Sequence, residues 1–292
     1  MELLTTRESL RFRLRDLRTS GTIGFVPTMG ALHEGHLALI RRAKLENPTV
    51  VVSIFVNPTQ FNDASDLEQY PRPLQRDVEQ CESAGATLVF APEIDQVYPE
   101  GFVTTVTVNG NLTDALEGKF RPGHFNGVTT VVARLFGLVR PDRAYFGEKD
   151  WQQLQVIRRM TTDLDLPVEI VPCPTVREPD GLAMSSRNVR LSPEAREQAK
   201  LIPYLLGTAQ DLLDSATYES QTDKGPVIQA WLTTLVESNR RVGADPVEID
   251  YIAVVDPDTL MGVDEIRDRA LVAVALRIGG VRLIDNRLIV RR

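Results

Sequence analysis

Cysteine is scarce in this chain: two in 292 residues, Cys81 and Cys173, far apart, with no CxxC spacing and no histidine nearby. Neither a disulfide framework nor a zinc cluster is suggested, and a reducing compartment fits best. Long apolar runs are missing too. The longest, such as residues 50–56 and 270–276, are strand-sized and far short of a membrane span. Residues 1–16 alternate charged and apolar side chains and lack the apolar stretch of about 7 to 15 residues that marks a secretory signal. The cytoplasm is the expected compartment. Basic surface is also short: the formal net charge is -7 and no basic stripe offsets it, so no nucleic acid or membrane partner is expected. No internal repeat, low-complexity tract or GxxxxGK[ST] phosphate loop occurs.

What is present is an ordinary globular composition, 42% hydrophobic and 25% charged, enough for one large domain or two smaller ones. Strand and helix patterns alternate. Residues 23–27, 49–56, 87–91, 143–146 and 168–171 read as strands, and 74–84, 127–139 and 151–164 read as helices. A helix starting near Gly35 follows the first of these strands. Such alternation predicts an α/β fold, a Rossmann-like open parallel sheet through about residue 175. In that sheet the loops after Pro27, Phe55 and Phe146 should converge beyond the carboxyl ends of the strands. The pattern then changes to helices over 193–213 and 227–239 and strands near 249–255, 271–276 and 282–284. This predicts a second, smaller α+β domain, with the boundary set between residues 176 and 177. Residues 215–224 are polar and read as a surface loop.

Chemistry concentrates in the turn from Pro27 to His36. A strand running into Thr28-Met29-Gly30, followed by a helix start, is expected to aim free backbone N–H groups at an anion. His33 and His36 are three apart and share a helical face from which both can donate to phosphate oxygens. Gly35 between them leaves room for a flat base. Other readings of the residues stay open: two histidines can cap a helix end without chemistry. A zinc site is disfavoured, because His33-Glu34-Gly35-His36 is one residue short of HExxH and no third ligand group is visible.

His33-Glu34-Gly35-His36 resembles the HIGH signature of the nucleotidylyltransferase and class I aminoacyl-tRNA synthetase superfamily. Met184-Ser185-Ser186-Arg187 stands where that superfamily carries its KMSKS-type loop. Three further segments are more specific: Phe55-Val56-Asn57-Pro58-Thr59-Gln60-Phe61, Arg121-Pro122-Gly123-His124-Phe125 and Phe146-Gly147-Glu148-Lys149-Asp150. Together with residues 25–36 and Tyr70-Pro71-Arg72 they resemble the pantoate-β-alanine ligase family, over about residues 23–192. Beyond that the agreement is one of length and pattern only.

The resemblance implies an ATP-dependent ligase that joins pantoate to β-alanine through a pantoyl adenylate, with Mg2+ accompanying the ATP, and a homodimer. It implies that Met29, Gly30, Ala31, Leu32, His33, Glu34, Gly35 and His36 bind ATP. Gly147, Glu148, Lys149, Asp150, Val176, Met184, Ser185, Ser186 and Arg187 complete that site. His36, His33, Lys149, Ser185, Ser186 and Arg187 carry the catalytic roles, and Asp150 helps to hold ribose or metal. Gln60 and Gln153 match pantoate positions, where an amide can donate to a carboxylate and accept from a hydroxyl. Arg121 and His124 are expected to meet the second substrate or the adenylate, or to support the loop. Thr59 departs from the larger apolar residue common in the family, which would loosen the pocket wall slightly. A nucleotidylyltransferase moving AMP or CMP onto a phosphorylated acceptor, or a non-catalytic nucleotide-binding regulator, would use the same turn.

Overall fold

The computed structural model describes residues 1–62, 64–216, 221, 223–239 and 246–292. Two compact units divide the chain, residues 1–176 and residues 177–292.

The first unit is a six-stranded parallel sheet. Its strands are β1 (Glu2–Leu4), β2 (Ile23–Thr28), β3 (Thr49–Ile54), β4 (Leu88–Phe90), β5 (Arg143–Gly147) and β6 (Glu169–Cys173), in the order β1-β4-β3-β2-β5-β6. Every pairing is parallel, as the helix-alternating pattern predicts. Both faces are covered, because successive side chains of a strand point to opposite sides. Ile23, Phe25 and Val51 join one cluster with Leu135, Phe136 and Ile157; Val26, Val50 and Val52 join another with Ile40, Ala43 and Cys81. The central strands are therefore apolar almost throughout rather than alternating.

From β2 the chain winds outward through β3 to β4, then returns to the other side of β2 at β5. The carboxyl ends of β2 and β5 thus flank the point where the winding reverses, the place where open α/β sheets bind ligands.

Three local differences from the sequence reading have clear causes. The helix expected from Gly127 begins at His124, with Gly123 at φ +79 turning the chain into it, so His124 lies on the first helical turn and not in the preceding loop. The N-terminus supplies strand β1, which pairs with β4, and the helix Arg7–Leu17, capped by Thr6; a three-residue edge strand is too short for periodicity to register. The single helix expected over 193–213 is two, Pro193–Ala199 and Leu201–Asp214. Pro203 has no N–H to give the carbonyl four residues back, which removes the bond that would carry the helix through Lys200.

The second unit packs these helices and Gly225–Asn239 with an antiparallel sheet of β7 (Val247–Val255), β8 (Arg269–Ile278) and β9 (Val281–Val290). Strand β9 runs well past the expected residues 282–284. Gly279 and Gly280, at φ +55 and +75, make the two-residue turn between β8 and β9. Of the polar stretch 215–224, residues 217–220 and 222 lie outside the described residues. Among the described residues no helix is long and apolar enough to cross a membrane.

Candidate active site

After β2 the chain makes a sharp turn, with Gly30 at φ +82 and Ala31 at φ +50. Thr28 braces it: its hydroxyl donates to the Ser53 carbonyl at 2.7 Å and accepts the Gly30 N–H at 3.2 Å. The backbone then enters the helix Glu34–Glu46 with His33 as its N-cap.

The two histidines cap that helix reciprocally. Gly35 N–H donates to His33 Nδ1 at 3.2 Å, and His33 N–H donates to His36 Nδ1 at 3.3 Å. Each Nδ1 is an acceptor, so on each ring the proton-bearing nitrogen is Nε2. The ring centroids are 4.1 Å apart. Burial first, then His33 and Lys149, push His36 down to about 3, with Asp150 opposing. At neutral pH His36 is therefore an uncharged hydrogen-bond donor.

The expectation of free backbone N–H groups in this turn is narrowed by the structure. The buried carboxylate of Asp77, on the helix Leu74–Ser83, accepts the N–H groups of Ala31 and Leu32, each at 2.8 Å. Gly30, His33 and Gly35 are also bonded internally, so the donors left for an anion are the N–H groups of Met29 and Glu34, which bond no acceptor among the described residues, together with side chains. Leu32 packs into the core, and Glu34 turns outward to pair with Arg41.

The loop after β3 reaches the same place. Gln60, buried, donates from its amide to Met29 Sδ at 2.9 Å and accepts from Asn57 Nδ2 at 3.0 Å. Asn57 also bonds the Gly127 carbonyl, at 3.1 Å, and accepts from Thr59 and from the Tyr98 hydroxyl, each at 2.9 Å. Thr59 is thus engaged by its hydroxyl, which an apolar residue would not offer. Gly127 permits the approach: a Cβ there would stand 2.4 Å from the Thr59 carbonyl oxygen.

Arg121 and His124 come in behind Gln60. His124 Nδ1 donates to the Gln60 carbonyl at 2.8 Å, and its Nε2 faces Arg121 Nη1 at 3.1 Å. Burial, aided by the Arg121 charge, lowers His124 to about 4, so it too is neutral. The contacts of His124 hold a backbone group.

After β5, Gly147 leads through the turn Glu148–Asp150 into the helix Trp151–Asp163. Lys149 Nζ lies 3.9 Å from the half-exposed Asp150 carboxylate. On the first turn of that helix two adjacent glutamines divide the work. Gln152, buried, accepts from Glu117 N–H at 2.9 Å and donates to the carbonyls of Leu112 and Ala115 at 2.9 and 2.8 Å. Gln153 is partly exposed, and its amide makes no hydrogen bond among the described residues.

The structure thus gathers Met29, Gln60, Arg121 and His124 by direct contact, and His33, His36, Lys149 and Asp150 by proximity and field. Val176 ends the first unit, beyond β6. Met184, Ser185, Ser186 and Arg187 belong to the second unit, where the Ser185 hydroxyl accepts the Arg187 N–H at 3.2 Å. The base of their loop is fixed by Asn188, which donates to Glu178 and to the Ala183 carbonyl, and by Arg196, which bridges Glu178 and Asp180. A cavity lined by Arg11, Phe102, Val106 and Arg134 contains none of the motif residues. Among the described residues no three His, Cys, Asp or Glu side chains form a metal-ligand group. Asp77, Asn57 and Gln152 were given no role from the sequence; only Asn57 lay within a recognised motif.

The sequence model of the family described as pantoate-beta-alanine ligase matches residues 2–288, taking in the C-terminal part where residue agreement had been limited to length and pattern. A pantothenate synthetase of Aquifex aeolicus is 50% identical over 281 residues, covering 96% of this chain and 95% of that one. A crystal structure of pantothenate synthetase from Thermus thermophilus superposes with a TM-score of 0.89 at 47% identity, covering 98% of this chain and 99% of its own. The structure of the Francisella tularensis pantoate-beta-alanine ligase complexed with beta-gamma ATP and beta-alanine gives a TM-score of 0.78 at 36% identity, covering 99% and 97%.

Proposed function

The chain belongs to the pantoate-β-alanine ligase family, and from that premise we propose that it condenses (R)-pantoate with β-alanine at the expense of ATP, giving pantothenate, AMP and pyrophosphate. The observation that carries the reading is the 2.9 Å contact between the Gln60 amide and Met29, which sets an amide suited to a hydroxy acid against the nucleotide turn.

In the first step a pantoate carboxylate oxygen attacks the α-phosphorus of ATP; the bond to the β-phosphate oxygen breaks and pyrophosphate leaves. In the second, the β-alanine amine attacks the acyl carbon, loses a proton, and AMP departs with the bonding pair. The nucleophile of the first step is already a carboxylate, so the protein's task is positioning and charge stabilisation rather than strong acid-base catalysis. Gln60 and Gln153 orient pantoate. His36 donates a neutral Nε2–H bond to a phosphate oxygen, His33 donates a second from its own Nε2, and Lys149 adds a point charge. Ser185, Ser186 and Arg187 offer two hydroxyls and a guanidinium to the departing pyrophosphate. Arg121 and His124 act through Gln60.

Magnesium carried in with ATP would neutralise charge on the phosphates. The half-exposed carboxylate of Asp150, 3.9 Å from Lys149 Nζ and in no three-residue ligand group among the described residues, fits one contact to an ion held mainly by phosphates and water. A homodimer in the cytoplasm completes the proposal.

Incubation with ATP, pantoate and β-alanine tests it. Equal amounts of AMP and pantothenate are expected only when all three are present. Sustained pyrophosphate release with the AMP moiety left on an acceptor, and no pantothenate formed, would overturn the ligase reading in favour of a nucleotidyl transfer.

A further inference from the structure

We propose that Asp77, a residue with no expected contact to any substrate, is the positioning residue that latches the nucleotide turn in its binding conformation. The inference rests on the reading of that turn as the ATP site.

Asp77 is 1% exposed, and no cation pairs with it among the described residues. A buried carboxylate without a counter-charge is costly unless strong donors surround it. Its donors are two consecutive backbone N–H groups, Ala31 to one oxygen and Leu32 to the other, both at 2.8 Å and lying 46 and 45 residues away in the chain. Charge-assisted bonds of this kind are the strong ones.

The turn needs such a brace. Ala31 is an L-residue held at φ +50, in the left-handed region that glycine enters freely and alanine enters at a cost. Its neighbour Gly30 is the room the latch requires: a Cβ there would meet Asp77 Oδ2 at 2.9 Å and Ile54 Cγ2 at 3.1 Å. The missing side chain at position 30 and the carboxylate at position 77 therefore fit one another. Together they fix the direction in which the chain leaves β2, which presents Met29 to Gln60 and brings His33 into place as the helix cap. Preorganisation of this sort is what spares a bound nucleotide the entropic cost of ordering its own loop.

The experiment measures binding of magnesium α,β-methylene-ATP to the full chain by calorimetry, for wild type, Asp77→Asn and Asp77→Asn/Ala31→Gly, with steady-state constants for pantoate beside it. Asparagine can accept only one of the two N–H groups, so nucleotide affinity should fall by about tenfold or more, while the KM for pantoate stays close to wild type. Glycine at position 31 adopts positive φ without the Cβ cost, so the double variant should recover part of the loss. A merely structural carboxylate would lower the folded fraction and leave nucleotide affinity and its rescue unmoved. Wild-type binding matched by Asp77→Asn, or no recovery in the double variant, overturns the latch. A wild-type chain that fails to bind the analogue overturns the ATP reading instead. Should Asp77→Asn not fold, amide exchange in the nucleotide-free wild type decides: slow exchange at Ala31 and Leu32 supports the latch, and exchange at the rate of exposed amides overturns it.

Discussion

His124 donates from Nδ1 to the backbone carbonyl of Gln60 at 2.8 Å, and the side chain of Gln60 in turn donates to Met29. A histidine from the helix after the Arg121 loop thus anchors the backbone of a residue in the loop after β3, whose side-chain amide meets a methionine from the loop after β2.

The paired glutamines give a clean contrast. Gln60→Leu and Gln153→Leu should each raise the KM for pantoate by about tenfold or more, because a site built to bond a hydroxy acid loses its partner, with a smaller change for ATP. Gln152→Leu should act on stability, since it strands Glu117 N–H and the carbonyls of Leu112 and Ala115; a loss of about 1–3 kcal/mol is expected by urea unfolding. Equal effects of Gln152→Leu and Gln153→Leu on the pantoate KM would refute this division.

A neutral His36 makes a specific demand on its substitutes. His36→Ala should lower kcat by about a hundredfold or more, while His36→Gln, which keeps an N–H donor of similar reach, should retain markedly more. Steady-state turnover with all three substrates reads the difference. If glutamine is as poor as alanine, a charged imidazolium is required and the neutral-donor role fails.

Acid should weaken the fold through its buried histidines. Both are held below the ordinary 6.5, to about 3 for His36 and about 4 for His124. Below pH 6.5 the unfolded chain takes up protons at these rings and the folded chain does not. Their contribution to stability is therefore complete above about 6.5 and is lost as pH falls toward 4 for His124 and toward 3 for His36. For His124, which is 7% exposed, the span amounts to on the order of 3 kcal/mol. Urea midpoints measured from about pH 7 down to pH 5 should fall less steeply in His124→Gln than in wild type, and identical slopes would count against the account.

Close packing sets the fourth expectation. In Gly127→Ala the new methyl meets the Thr59 carbonyl at 2.4 Å, so the helix His124–Val139 must move off the turn that carries Gln60. Overpacking of this kind costs about 1–3 kcal/mol and should lower Tm while raising the pantoate KM. A wild-type Tm and KM would show that the contact yields freely.

The parallel sheet and the chemistry-bearing motifs are legible in the chain alone. The β-branched runs at β2 and β3, the glycines at the helix ends and the histidine pair are local features, and local sterics and periodicity act on neighbours in the chain. Periodicity missed what was too short to repeat, as at β1, and overran a break that depends on one proline, as at Lys200. How the motif residues are used is settled by contacts across the fold. Asp77 taking the N–H groups of Ala31 and Leu32, His124 facing Gln60, and Gln152 pinning the 112–117 loop while Gln153 stays available all pair residues that lie far apart in the chain. Such pairs leave no mark in composition or spacing, because a hydrogen bond across the fold constrains two positions only after the sheet has brought them together.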